Sequence, residues 1–300
     1  MKTRRQFMSL HHILPRFILK GFCINPNDDK KDQKIMIYDR GSGKVNIEKI
    51  NTAYAKENFN SQKIETLLCK DYENNVAMLF QRIKKRAVDN EKDVALSNEE
   101  YKLLFRFFTI MWRRNDIHID NGKKMAIEIE NILKNIFGSD YDNIKTEQYK
   151  NVSLSEYFDK NEEKIRNILY DKLILDTTDN DPTVLKTIKN YYPTIVYNTS
   201  NIHFILHNTY STLNYYIPEN HDVNFLDIPT TMIVPISNNL CIYLTLQKDQ
   251  TDLTKKEFKL KIEQWNKDEQ IKQFFIDGYI TPQATSFVVD DTNLKYVKGE

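Results

Sequence analysis

The N-terminal stretch His11–Phe22, HHILPRFILKGF, combines two adjacent histidines with a proline, basic residues and a strongly apolar run. Proline suits the first turn of a helix, where its missing N–H would have no partner, and glycine commonly ends one. The stretch therefore predicts a short helix that begins at Pro15 and ends at Gly21. Histidine is the side chain best suited to acid–base work near neutral pH, so His11 and His12 indicate a candidate site at this turn.

Beyond this turn the pattern of apolar residues changes from alternation to helical spacing. Alternation in Lys34–Asp39 and Lys44–Ile50, separated by a turn at Arg40–Gly43, predicts a β-hairpin. Ser97 and Glu100 have the spacing of a capping box, which marks the start of a helix. Apolar residues at helical spacing predict helices over about 63–88, 97–113, 123–136, 153–175 and 181–190.

The β pattern returns in the C-terminal third. It predicts strands over 194–197, 202–207, 231–236, 240–246 and 286–289, with a helix over about 255–278 before the last strand. The order is a short N-terminal helix and β-hairpin, a helical middle, and a small mixed sheet with a closing helix, which predicts an α+β fold. No Pro/Gly/Ser-rich linker is present, so we expect residues 1–300 to form one integrated domain with parts 1–62, 63–192 and 193–300.

The composition is that of a globular protein without a dominant charge. Hydrophobic residues make up 40% of the 300 residues, and 43 Lys+Arg against 42 Asp+Glu leave a net charge of +1. Attraction to nucleic acid must therefore come from a local patch. Cys23, Cys69 and Cys241 form no CxxC pair, which favours reduced thiols in a cytoplasmic protein. No apolar run reaches the ~18–20 residues of a membrane span, so no membrane association is expected.

The His11-His12-x-x-Pro15 block resembles the HH-x-x-P element of HNH (ββα-metal) nucleases. In that chemistry a neutral imidazole takes a proton from water while a divalent metal stabilises charge on the scissile phosphate. The chain departs from the nuclease pattern because the predicted helix carries no further histidine or asparagine. Arg16 and Lys20, beside the histidines, could form a local positive patch for phosphate. The alternative is that the histidines only cap and pack the N-terminal turn.

A series of short motifs runs along nearly the whole chain. The N-terminal motif has the form His-x-x-Pro-x-x-x-Leu-Lys-x-Phe and consists of His12, Pro15, Leu19, Lys20 and Phe22. The later motifs are Ile37–Lys44, Glu57–Asn60, Glu73, Phe107–Arg114, Phe204–Tyr210 and Pro235–Ile242. In this order they resemble a mainly bacterial family known only as domain of unknown function 4238. Asn208 stands where that family has Asp, and an amide cannot act as a base. The resemblance implies an architecture but no established reaction.

Two functions from different classes fit these residues. The first is a phosphodiester- or phosphate-handling enzyme, a metal-dependent nuclease or other hydrolase that serves as an effector in phage defence or bacterial stress. In this hypothesis His12 is the general base, His11 assists, and Glu73, Arg113 and Asn208 converge on the site. A divalent metal and a nucleic acid or other phosphate-containing ligand are then expected. The second is a non-catalytic binding or regulatory module with structural histidines, in which His12 and Glu73 are buried and bonded to each other. Separately, the favourable interaction of a cation with the helix dipole explains Arg113 at the end of its predicted helix without any function.

Overall fold

The computed structural model of the protein describes residues 10–57, 59, 62–113, 117–145, 150, 152–208, 212–214, 231–247, 251–274 and 284–299. Within these ranges a strand-containing N-terminal part, a helical middle and a sheet-rich C-terminal part follow one another, which confirms the predicted α+β class. None of the helices described is at once long and apolar enough to cross a membrane.

The N-terminal turn folds as the sequence predicts. Strand β1 (Leu10–His12) is followed by Pro15, which precedes the short helix α1 (Arg16–Leu19), and a 3₁₀ turn covers Lys20–Phe22. Strand β1 pairs antiparallel with β4 (Ala55–Glu57). The motif that begins at the histidines is therefore a strand, a bend and one helical segment.

Contacts with two other parts of the chain hold this turn in place. The Phe17 ring lies 6.1 Å from the Phe80 ring and 5.7 Å from the Phe107 ring, both in the helical middle. A Cβ at Gly21 would lie 2.5 Å from the Ile236 carbonyl oxygen and 2.8 Å from the Ser237 Cβ. An approach this close requires the absence of a side chain, so Gly21 lets the turn dock against the C-terminal part.

The helical middle follows the predicted order. Its helices are α2 (Gln62–Leu67), α3 (Asn74–Val88), α4 (Asn98–Arg113), α5 (Ile117–Phe137), α6 (Leu154–Lys160), α7 (Glu162–Leu175) and α8 (Pro182–Asn190). A π-helical segment, Leu68–Glu73, joins α2 to α3, and a 3₁₀ turn, Gly138–Ile144, follows α5. The predicted capping box is present, since the Glu100 N–H donates to Ser97 Oγ at 3.2 Å and the Ser97 N–H donates to Glu100 Oε2 at 3.0 Å.

The larger sheet is formed by strands from the middle and the C-terminal part. Its strands are β5 (Asp93–Ser97), β6 (Tyr191–Asn198), β8 (Thr212–Asn214), β9 (Thr231–Ser237), β10 (Leu240–Leu246) and β11 (Glu257–Trp265). Among the described residues they lie in the order β5–β11–β6–β10–β9–β8. Strand β11 runs parallel to β6 and the other neighbours are antiparallel, so the sheet is mixed as predicted. Neither β5 nor β8 was predicted from the sequence.

The second sheet joins the two ends of the chain. Strands β2 (Lys34–Asp39) and β3 (Lys44–Lys49) form the predicted hairpin, and β12 (Ser286–Val289) pairs antiparallel with β2. With β7 (Leu206–His207) they give the order β3–β2–β12–β7. The N-terminal hairpin is thus completed by C-terminal strands.

The predicted helix over 255–278 is wrong. Most of its first half is strand β11, and helix α9 covers Asp268–Phe274, while the end of the predicted range lies outside the described residues. Phe258, Leu260 and Ile262 are buried and the residues between them are exposed or nearly so, which is the alternation of a strand. Apolar residues spaced by two also include pairs spaced by four, and this overlap with the helical template caused the error.

The predicted strand over 202–207 is shorter than expected, because only its last two residues form β7. The side chain of Asn293 bonds the backbone of the residues that form no strand: its Nδ2 donates to the carbonyl oxygens of His203 and Phe204 at 3.2 and 3.3 Å. Backbone groups satisfied by a side chain need no strand partner. Asn293 directly precedes helix α10 (Leu294–Lys298), which the sequence analysis did not predict.

Buried apolar side chains form two clusters. The larger contains residues of both sheets and of α1, α3 and α4. The smaller lies among α2, the π segment, α4, α6 and α7 and consists of Phe59, Ile64, Leu68, Tyr72, Ile110, Phe158 and Ile174. Leu68 and Tyr72 of the π segment belong to this cluster, whereas Glu73, its last residue, is only half-buried.

Candidate anion-binding cleft

A cleft of about 440 Å³ lies beside α1. Its lining, within the part of the chain that the structure describes, consists of Arg16, Phe17, Lys20, Lys30, Lys31, Asn51, Glu73, Asn74 and Ala77. Four of these side chains are cationic and one is a carboxylate, so positive charge dominates. The volume falls within the ~300–1,000 Å³ that is usual for small-molecule sites.

Arg16 and Lys20 are placed by the N-terminal turn. They stand four residues apart on the helical segment made by α1 and its 3₁₀ continuation, so they share one side of it. Ile18 and Leu19, between them, are completely buried. Burial of these two apolar side chains turns the cationic side of the segment outward, where both Arg16 and Lys20 are exposed.

Lys30 and Lys31 are placed by the loop that precedes β2, here called the lysine loop (Asn25–Gln33). Asn25 closes this loop: its Nδ2 donates to the Asp32 carbonyl oxygen at 3.1 Å, and its Oδ1 accepts from the Lys34 N–H at 2.7 Å. Side chains that bond the backbone in this way stabilise tight loops. These bonds fix the backbone of the loop from which the two lysine side chains extend.

Glu73 reaches the cleft from the junction of the π segment and α3. It ends the π segment, and Asn74, also in the lining, begins α3. A π segment widens the helical turn and is often found at functional sites. Here it leaves two consecutive polar residues lining the same cleft.

The four cationic side chains of the lining make no hydrogen bond or ion pair with any other described residue. Like charges gathered without a partner repel one another and raise the positive potential of the cleft. A phosphate or carboxylate that enters would remove this repulsion and accept charge-assisted hydrogen bonds. The cleft is thus suited to an anion.

The two histidines lie near this cleft but outside its lining. His11 sits in β1 opposite Lys56 and is 3% exposed. His12 is half-buried, and its Nε2 lies 3.1 Å from the Ile50 carbonyl oxygen. A carbonyl can only accept, so in this arrangement Nε2 carries the proton and Nδ1 is the nitrogen that can act as a base. Asn51, the residue after Ile50, does line the cleft.

Arg113 lies in a network at the start of α8. Its Nη1 donates to Asp181 Oδ2 at 2.8 Å and to Thr177 Oγ1 at 2.6 Å, and its Nη2 donates to Thr183 Oγ1 at 3.1 Å. Asp181 also caps α8 by accepting the N–H groups of Thr183 and Val184. Burial acts to raise the pKa of Asp181, but the hydrogen bonds from Arg113 and the backbone outweigh it and lower the pKa. These contacts tie the end of α4 to α8.

Asn208 lies at the end of β7 and bonds the start of β12. Its Nδ2 donates to Thr285 Oγ1 at 3.0 Å, and its Oδ1 accepts the Thr285 N–H at 3.1 Å and the Ser286 N–H at 3.4 Å. The amide uses its donor and its acceptor at once, as a carboxylate cannot. Asn208 therefore joins the end of β7 to the start of β12.

A separate polar pair joins the segment before β7 to the turn before α10. His203 Nδ1 lies 2.6 Å from Asp290 Oδ2. The hydrogen bond to Asp290 raises the pKa of His203, although burial opposes this. Burial acts to raise the pKa of Asp290, but the hydrogen bonds from His203 and Thr292 lower it overall. Neither residue of the pair lines the cleft.

Some of the candidate residues predicted from the sequence line the cleft, and the others lie elsewhere. Those that line the cleft are Glu73, Arg16 and Lys20. Those that the structure places outside its lining are His11, His12, Arg113 and Asn208. Within the described ranges no three His, Cys, Asp or Glu side chains are grouped so as to hold a metal ion.

Four polar residues of the lining were not predicted as site residues: Lys30, Lys31, Asn51 and Asn74. The available signal was the lysine doublet inside a polar loop, next to the basic turn at Arg16 and Lys20. Only the folded chain shows that the two basic segments face the same space.

A family model described as "Protein of unknown function (DUF4238)" matches residues 10–293. The chain belongs to this family. The resemblance found in the sequence is therefore confirmed, and the match runs from β1 to the turn before α10. In this DUF4238 protein the N-terminal motif builds one wall of the cleft, since Pro15 precedes α1, Leu19 is buried and Lys20 lines the cleft. No curated protein and no solved structure matches the chain.

Proposed function

We propose that the protein binds a phosphate-containing ligand in the cleft beside α1. The observation that supports this is the convergence of four exposed cations from two segments, the N-terminal turn and the lysine loop, on one cavity. The chain as a whole has a net charge of only +1, so this local concentration of positive charge is not a consequence of composition. Charge-assisted hydrogen bonds from lysine and arginine to phosphate are stronger than hydrogen bonds between neutral groups.

Binding of inorganic tripolyphosphate, measured by isothermal titration calorimetry, tests this proposal. We expect Lys20→Glu to weaken binding at least tenfold, because it removes an attraction and adds a repulsion. Lys44→Glu is the matched control: Lys44 is an exposed lysine in β3 that does not line the cleft. Equal effects of the two substitutions, or no measurable binding by the wild type, would refute the proposed site.

Phosphodiester hydrolysis, in a nuclease-type effector of bacterial defence or stress, is the second candidate function. The observation that favours it is that Glu73, a group able to take or give a proton, lines the same cleft as the four cations. Incubation of the protein with labelled single-stranded DNA and RNA, in buffer with Mg²⁺ or Mn²⁺, measures cleavage. If Glu73 is the reacting group, Glu73→Gln abolishes cleavage while tripolyphosphate still binds.

His12→Ala separates this candidate from the hypothesis drawn from the sequence. Loss of cleavage by a folded His12→Ala protein would support His12 as the base. Its Nε2 bond to Ile50 predicts that the substitution also lowers stability, so the free energy of unfolding of the variant is measured beside cleavage. Full cleavage by a folded His12→Ala protein would refute His12 as the base. Binding without cleavage by any variant or by the wild type would support the non-catalytic binding module.

A further inference from the structure

The lining of the cleft has a cationic part and a part that suits neutral groups. Arg16, Lys20, Lys30 and Lys31 form the cationic part. The other part consists of Phe17, Asn51, Glu73, Asn74 and Ala77. A carboxylate repels an inorganic anion, so it weakens the binding of such a ligand. The second part therefore indicates a ligand that carries hydrogen-bond donors and apolar surface in addition to phosphate.

Glu73 is the residue that distinguishes a simple inorganic anion from a ligand that also carries hydrogen-bond donors. An ionised carboxylate only accepts hydrogen bonds, and its two oxygens offer about four acceptor positions. The asparagine amides of the lining can both donate and accept. Ribose hydroxyls and base amino groups are neutral donors that such side chains can bind, and the partly buried Phe17 ring with Ala77 offers apolar surface for a base.

The cations of the lining come as two pairs on separate segments. Arg16 and Lys20 belong to the N-terminal turn, and Lys30 and Lys31 to the lysine loop. Two pairs suit a ligand with at least two phosphate groups better than a single phosphate. Because Asn25 already closes the loop, the loop backbone needs little further ordering, which lowers that part of the entropic cost of binding.

We infer that the cleft takes a nucleoside di- or triphosphate, with the phosphates between the two cationic pairs and the nucleoside against Glu73. This inference rests on the proposed function and adds the class of ligand to it. The cavity of about 440 Å³ suits one nucleotide rather than an extended strand. The carboxylate selects the nucleoside through its donors and disfavours bare polyphosphate by repulsion.

Calorimetric binding of ATP and of tripolyphosphate to wild type and Glu73→Gln, in EDTA, tests the inference because the two ligands respond with opposite sign. We expect Glu73→Gln to bind ATP about tenfold more weakly, which corresponds to ~1.4 kcal/mol. The same substitution removes a negative charge, so tripolyphosphate should bind as tightly or more tightly. Asn74→Ala, an exposed position on α3, is the second variant and should also weaken ATP alone.

The ligand series makes each outcome decisive. If 2′,3′-dideoxy-ATP binds wild type as weakly as ATP binds Glu73→Gln, the ribose hydroxyls are the donors. If it binds like ATP and Glu73→Gln still weakens both, the base supplies them. Tighter binding of ATP and tripolyphosphate alike by Glu73→Gln would overturn the inference and leave a plain anion site. Loss of tripolyphosphate binding only in Lys20→Glu would then still support the proposed function, so the two failures are distinguishable.

Discussion

Replacement of Arg113 by Ala tests whether this candidate for the active site instead holds the fold together. In the structure its guanidinium donates to both Asp181 oxygens, at 2.8 and 3.3 Å, and also to the hydroxyls of Thr177 and Thr183. The Arg113 side chain is 11% exposed and the Asp181 side chain 5%. The substitution would leave a buried carboxylate without its cation.

The expected cost follows from this burial. Removal of one partner of a buried ion pair typically costs about 3–5 kcal/mol, compared with ~0–1 kcal/mol for an exposed pair. After the substitution Asp181 keeps the N–H groups of Thr183 and Val184, at 2.7 and 3.2 Å, so part of its charge stays compensated. We therefore expect Arg113→Ala to lower the free energy of unfolding by about 3 kcal/mol, a large share of the ~5–15 kcal/mol of a typical domain.

Urea denaturation at pH 7, followed by circular dichroism, measures this loss. Arg113→Lys keeps the charge but not the planar fork, and should lose about half as much. Lys261→Ala is the control, because Lys261 pairs with Glu263 at the surface with 63% and 38% of the two side chains exposed. A loss below about 1 kcal/mol for Arg113→Ala would refute the reasoning. Weaker tripolyphosphate binding at unchanged stability would return Arg113 to the site.

Two further predictions concern pH and packing. Since the pKa of His203 is raised above 6.5 and that of Asp290 is lowered below 3.8, their pairing stabilises fully between these values. This stabilisation is lost as pH rises through the raised pKa of His203 or falls through the lowered pKa of Asp290. The difference in unfolding free energy between wild type and His203→Gln should therefore shrink from about pH 5.5 to 9. A constant difference over this range would contradict the prediction. Gly21→Ala should lower the free energy of unfolding, measured by heat or urea, by about 2–3 kcal/mol, because the new Cβ would lie 2.5 Å from the Ile236 carbonyl oxygen. Gly41→Ala is the control and should cost far less, because its Cβ would meet only a side-chain atom at 3.7 Å. Equal losses of stability in the two variants would argue against the close contact at Gly21.

Local features of the chain were predictable because they depend on neighbours in sequence. Pro15, the Ser97 capping box and the N-terminal hairpin formed where the sequence placed them. Strand β11 was mistaken for a helix because its spacing fits both periods, and burial on one face of the sheet decides between them. Of the candidate residues, Arg16, Lys20 and Glu73 line the same cleft, whereas Arg113 and Asn208 make contacts with segments that no local pattern indicates.

By itself, the sequence determined the α+β class, most helix boundaries and the membership of the DUF4238 family, because periodicity, caps and motif order are properties of short segments. The tertiary structure alone decided that the lysine loop and the N-terminal turn line one cleft with Glu73, and that β2 pairs with β12. These juxtapositions join residues far apart in the chain, and they arise from burial of apolar faces and pairing of backbone groups throughout the fold. The charge of a cleft depends on which distant side chains such packing brings together.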